Sequence, residues 1–221
     1  MKLSKMTTTL LQNLATINNS IHIDELYKLK SKTPNTSNII AVATIEEELP
    51  ELSIYSLDEL LGSMSLFEQG NIEYTFTEQY IKMVEGKMKI NYRLSDPEHI
   101  LTKCKESAKY EAFDDFDASF NITVEQLTSI QKAARVLKAD VVCFNMEDGK
   151  GKISLINSQL PLDNSFELDI TGEGTCEASV FVDNLMLINS NYLCNIASGK
   201  VCKFTSLDFP IYYFLACSIL N

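Results

Sequence analysis

Apolar residues recur at helical spacing in two long stretches of the chain. Leu10, Leu11, Leu14 and Ile17 fall on one side of a helix predicted from Ser4 to Ile17, with Thr9, Gln12, Asn13 and Thr16 between them. Leu127, Ile130, Ala134 and Leu137 repeat the pattern between Thr123 and Leu137. There Thr123 and Gln126 make the T-x-x-Q pair that caps a first turn reciprocally. Each predicted helix leads into a strand, SIHI in the first half and DVVCF in the second. The helix ends, Ile17 and Leu137, lie 120 residues apart.

The same order returns downstream, where LSIYSLDELLGSMSL and ASVFVDNLMLI each place a short apolar strand before a short helix. Asp58 and Asp183 are offset by 125 residues. Ser56 and Glu59 supply an S-x-x-E cap, and Gly62 inside the first short helix implies close packing or a break. Alternating strands follow: NIEYTFT, YIKMV and KMKINYRL in the first half, YLCNIA, KVCKFTS and IYYFLACSIL in the second. Turn residues stand at Glu85-Gly86, Asp148-Gly149 and Ser198-Gly199. A polar connector, about residues 95–120, separates the halves. The pattern predicts an α+β chain of two similar modules, with domains at 1–110 and 111–221.

Length supports that division, because 221 residues suffice for two domains that each bury a core. Charge changes the picture more. A net charge of -11 keeps the chain soluble and repels nucleic acid, so any contact with DNA requires a local exception. The first 23 residues are one exception: they hold Lys2 and Lys5 and no acid before Asp24. The second long helix is another. Lys132, Arg135 and Lys138 follow at i, i+3 and i+6, opposite Leu127, Ile130 and Leu137, with no acid in residues 126–139. On residue pattern alone, such a face is most simply a solvated one.

Chemistry is sparse. The cysteines at 104, 143, 176, 194, 202 and 217 match neither zinc nor redox CxxC spacing and read as reduced core thiols of a cytosolic protein. His22 and His99 lack a nucleophile or metal partner at motif spacing. Asp114, Asp115 and Asp117 lack the Gly and Glu of a calcium loop, and GKGKIS at 149–154 is not a phosphate loop. No catalytic residue, metal or cofactor is expected. The run at 211–220 is about half the ~20 residues that cross a bilayer and reads as a buried terminal strand; the N-terminus lacks a signal-peptide core, and no membrane partner is expected.

The opening, MKLSKMTTTLLQNLATIN, resembles the N-terminus of the sliding clamps of T-even-type bacteriophages, the ring-shaped processivity factors of their replicative DNA polymerases. The likeness continues through SIYSLDELLGSMSL and ITVEQLTSIQKAARVLKADVV. It implies a ring-forming DNA clamp fold with two similar domains per chain, joined head to tail as a homotrimer. Its implied partners are duplex DNA, held without regard to sequence, the DNA polymerase and a clamp loader, in the cytoplasm of the infected bacterial host. On this resemblance Lys2, Lys5, Lys132, Arg135 and Lys138 face DNA, although the two short helices carry no Lys or Arg and so depart from a fully basic lining.

Rings of this kind join by pairing edge strands. KMKINYRL (87–94) is therefore expected to meet SFELDIT (165–171) of the next subunit, with Ile90 and Leu168 at the contact. Partner tails in such clamps are apolar, and Phe113, Phe116, Tyr212 and Tyr213 are candidates to receive them. Two alternatives remain: a metal-dependent nuclease or hydrolase acting through the Asp114 cluster, and a clamp relative serving as a phage scaffold or regulator.

Overall fold

Ser4 and Thr123 start the two long helices. The Ser4 hydroxyl accepts the Thr7 N–H and opens α1 (Lys5–Ile17), which buries Thr7, Leu10, Leu11, Leu14 and Ile17. Thr123 and Gln126 form the reciprocal cap of α4 (Val124–Leu137), whose buried residues are Leu127, Ile130 and Ala134. Lys138, in the left-handed conformation at φ 53, ends it. The computed structural model describes residues 1–34, 38–68, 71–100, 104, 107–159 and 165–218. Positions 101–103, 105–106, 219 and 220, which belong to the expected connector and terminal strand, lie outside the described residues.

The chain divides into two compact units, Met1–Ala108 and Lys109–Asn221. After α1 the first unit continues through β1 (Ile21–Ile23), β2 (Lys28–Lys32), β3 (Ile39–Thr44), β4 (Leu52–Ile54), α2 (Leu57–Met64), β5 (Glu73–Phe76), β6 (Tyr80–Glu85) and β7 (Met88–Arg93). A 3-10 turn at Pro97–His99 and a short α3 (Ser107–Glu111) occupy the connector. The second unit adds β8 (Ala118–Ile122) ahead of α4. It then repeats the order with β9 (Val141–Glu147), β10 (Lys150–Ile156), β11 (Phe166–Gly174), β12 (Cys176–Phe181), β13 (Tyr192–Ala197), β14 (Val201–Ser206) and β15 (Ile211–Ala216).

All described pairings are antiparallel. In the first unit β1 pairs β4, β2 pairs β3, and β5, β6 and β7 form a meander. In the second unit the order is β12-β9-β10-β11-β8-β13-β14-β15. Asp148 and Gly149, both at positive φ, make the tight turn between β9 and β10. An aromatic chain fills this unit's core: Phe120, Phe144, Phe204, Tyr192 and Tyr213 lie within 6.2 Å of one another, ring to ring, in sequence.

Two expectations are corrected here. The short helix expected after ASVF is only a 3-10 turn, Val182–Asn184, with no side-chain cap. Side chains take the backbone groups that a helix would need. Ile188 donates its N–H to the Tyr213 hydroxyl at 3.1 Å and accepts from Tyr192 at 2.5 Å, while Gln131 of α4 donates to the Leu185 carbonyl. Gly62 marks neither close packing nor a break. α2 runs through it, and a Cβ there would meet nothing within 4 Å. At the start of α2 the Ser56 hydroxyl accepts the Glu59 N–H as expected, but the Ser56 N–H goes to the Tyr92 hydroxyl, so the reciprocal half comes from β7.

Removing the α4 cap by Thr123→Ala should lower stability by about 1 kcal/mol, while Gly62→Ala should raise it by about 0.5–1 kcal/mol. Midpoint shifts of opposite sign in denaturant unfolding, at constant slope, check both.

Candidate functional site

Burial of the inner stripe fixes which residues of each long helix face outward. On α4 the outward set includes Glu125, Ser129, Lys132, Arg135 and Val136, with Lys138 exposed at the cap. On α1 it includes Lys5, Met6, Gln12 and Thr16. Lys2 is exposed on a segment held by paired backbone bonds, since Met1 N donates to Tyr74 O and Tyr74 N to Met1 O, each at 2.8 Å. No side chain among Lys2, Lys5, Lys132, Arg135 and Lys138 forms an ion pair with a described residue.

Beside α1 lies a groove of about 360 Å³ lined by Lys5, Thr8, Thr9, Gln12, Leu61 and Tyr74, among others. Its polar side chains are Lys5, Thr8, Thr9, Gln12, Ser65 and Tyr74. α2, the neighbouring short helix, contributes no base and begins with Asp58 and Glu59. Thr8, Thr9 and Ser65 have already given their hydroxyls to the Ser4, Lys5 and Gly62 carbonyls, which leaves Lys5, Gln12 and Tyr74 to reach a solute in the groove.

The α1 start is governed by a residue that sequence pattern does not reveal. Glu47, in the segment after β3, accepts the Ser4 N–H on one carboxylate oxygen and the Thr7 hydroxyl, at 2.5 Å, on the other. α1 has no acid of its own in its first turn, and Glu47 supplies the negative charge that a helix N-terminus favours. Partial burial would raise the pKa of Glu47, but the Thr7 and Ser4 bonds outweigh it and hold the carboxyl below the usual carboxylate range.

Among the described residues, the edge strands expected at a subunit contact are both unpaired along one side. β7 pairs only with β6 among the described residues. β11 pairs with β10 along Phe166–Thr171, and its other edge meets β8 only from Gly172 onward. Ile90 and Leu168 are half-buried on these strands. Lys89 and Arg93 are exposed on the first, and Glu167 and Asp169 on the second.

Among the candidate tail-binding aromatics, Phe113 and Phe116 pack edge to face at 5.1 Å, with Lys200 5.8 Å over the Phe113 ring. Tyr212 is half-buried against Phe214, its hydroxyl on Glu111 and Lys203 5.3 Å over its ring. Tyr213 is a correction. It is fully buried, and its hydroxyl serves the Ile188 backbone, so it is a core residue. The acidic cluster is divided between separate partners, Asp115 with Lys200 at 3.4 Å and Asp117 with the Ser198 N–H at 2.7 Å. His22 stands opposite Ser53 across β1 and β4, its Nδ1 2.9 Å from a hydroxyl that is itself buried.

No family model matches the chain. Over 228 aligned residues, covering all of both proteins, it is 27% identical to the sliding clamp of Vibrio phage KVP40. It is likewise 27% identical to that of Enterobacteria phage T4, over 90% of this chain and 89% of the relative. The chain is similar along its length to the sliding clamps of T4-type phages. The fold of the clamp extends well beyond phages. The A. fulgidus PCNA structure, bound to the C-terminal region of FEN-1, superposes with a TM-score of 0.75 at 14% identity, over all of this chain and 98% of that one.

Because the Glu47 pKa is lowered in the folded clamp, its stabilising contribution is present above the usual carboxylate range and lost as pH falls through the depressed value. Glu47→Gln, which cannot accept at both oxygens, should fray α1 at neutral pH. Faster hydrogen exchange at the Ser4 and Thr7 amides, reproduced in the wild type only on acidification, checks this.

Proposed function

We propose that the clamp encircles duplex DNA as a head-to-tail homotrimer and tethers the replicative DNA polymerase, giving processivity to phage DNA replication in the host cytoplasm. The observation that carries this reading is the pair of unpaired edges. β7 presents Lys89 and Arg93, β11 presents Glu167 and Asp169, and both edges continue an apolar face through Ile90 and Leu168. Edges of opposite charge on different strands fit a heterologous contact, which makes a ring when the rotation between subunits closes.

The bases on and beside α1 and α4, none of them ion-paired with a described residue, support the second half of the proposal. Lys2, Lys5, Lys132, Arg135 and Lys138 act as sequence-independent phosphate neighbours, and each contact that releases a counterion adds roughly 0.9 to the slope of log affinity against log salt. A clamp loader opens and closes the ring, and the trimer has no turnover of its own. The half-buried Phe113, Phe116 and Tyr212, with Lys200 and Lys203 over the rings, receive the polymerase tail.

Reversing Lys89 and Arg93 together to glutamate should yield a folded monomer by light scattering. Adding Glu167→Lys and Asp169→Lys to the same chain should restore the trimer. A trimer that survives the first change sinks the edge assignment, and a failure of rescue with intact circular dichroism does the same. Separately, Lys132→Glu, Arg135→Glu and Lys138→Glu in one chain should reduce polymerase processivity at both low and moderate salt without changing oligomeric mass. Measuring at two salts matters because screening limits these charges to about 8–10 Å near physiological ionic strength.

A further inference from the structure

Five of the six cysteines lie in the second unit, and two of them meet. Cys202 is on β14 and Cys217 follows the last residue of β15, with their sulfur atoms 3.7 Å apart. The ladder explains the meeting. Val201 pairs with Ala216 and Cys217 donates its N–H to the Lys200 carbonyl, so Cys217 sits diagonally across from Cys202 just where regular pairing stops. That last backbone bond, at 3.3 Å, is long and can give as the sulfurs approach.

The two thiols differ in access. Cys202 is fully buried. Cys217 is half-buried and lines a groove of about 300 Å³ with Asn145, Glu177, Gly199 and Ser218; Cys143, the other thiol of that groove, is buried, so a small solute reaches Cys217 first. We propose that Cys217 and Cys202 form a peroxide-driven disulfide, with Cys217 as the attacking thiol and Cys202 as the resolving one.

The chemistry balances in two steps. The Cys217 thiolate attacks one oxygen of hydrogen peroxide, the O–O bond breaks, and hydroxide leaves with the Cys217 proton as water, which makes Cys217 sulfenic acid. The Cys202 sulfur then attacks the Cys217 sulfur, the S–O bond breaks, and the sulfenic oxygen departs as water with the Cys202 proton. Two thiols lose two electrons and two hydrogens, and one peroxide becomes two waters. Hydrogen-bond donation from Cys202, followed by the Lys200 and Gly199 backbone, lowers the Cys217 thiol pKa below its ordinary value. The same bond and burial raise Cys202. Burial also raises Cys143, Cys176 and Cys194, so among the cysteines of the second unit Cys217, the more accessible of the pair, takes the first step.

The test uses the full-length reduced clamp treated with hydrogen peroxide, then denatured and alkylated. Alkylatable thiols should fall from six to four, with an intact-mass loss of two hydrogens and a peptide map linking Cys202 to Cys217 in the same chain. In Cys202→Ser the reaction should stop at a sulfenic acid on Cys217 that dimedone traps. In Cys217→Ser no thiol should be lost. Six alkylatable thiols after treatment, a link to any other cysteine, or a link between chains overturns the proposal. Should either variant fail to fold, the wild-type map decides alone.

Discussion

Burial of one narrow apolar stripe on each long helix is the interaction on which the rest of this structure depends. Leu10, Leu11, Leu14 and Ile17 set the rotation of α1, and Leu127, Ile130 and Ala134 set that of α4. Once the rotation is fixed, so is the identity of every outward residue, because positions three and four apart share a face. The stripe of α4 is only three residues wide in burial, which leaves a broad outer surface free of packing constraints. That freedom lets Lys132, Arg135 and Lys138 stand together without costing the core anything.

The electrostatics follow the same division of labour. On both long helices the acid that a helix N-terminus favours is kept apart from the bases. At α1 the carboxylate comes from Glu47 across the fold rather than from the helix itself. At α4 it comes from Glu125 in the first turn, ahead of the bases. α2 uses its own Asp58 and Glu59 and has no bases. The two long helices and the short one therefore differ in the sign they present to a solute.

Much of this was legible in the chain. The long helices, their caps and the repeated order of elements follow from apolar spacing and from Ser4, Thr123 and Gln126, since those signals are local. What failed was non-local. VDNLMLI has a plausible helical spacing, but the hydroxyls of Tyr192 and Tyr213 claim the Ile188 backbone, and no local window contains both tyrosines and Ile188. The same burial removed Tyr213 from the accessible aromatics, while Phe113, Phe116 and Tyr212 kept partial exposure. Gly62 misled because a glycine in a helix looks like a packing requirement even where open space surrounds it. Glu47 carries no sequence signal at all, lying 43 residues from the serine it meets.

Ser218 donates its N–H to Ser179 on β12 at 2.7 Å, and the Ser179 hydroxyl returns a bond to the Ser218 carbonyl. These bonds tie the residue just past Cys217 to β12 and so hold down the chain beyond β15. A tie made by two residues opens more readily than a ladder of six, and it opens without unfolding either strand. The chain after β15 can therefore loosen by local opening, well below the cost of global unfolding.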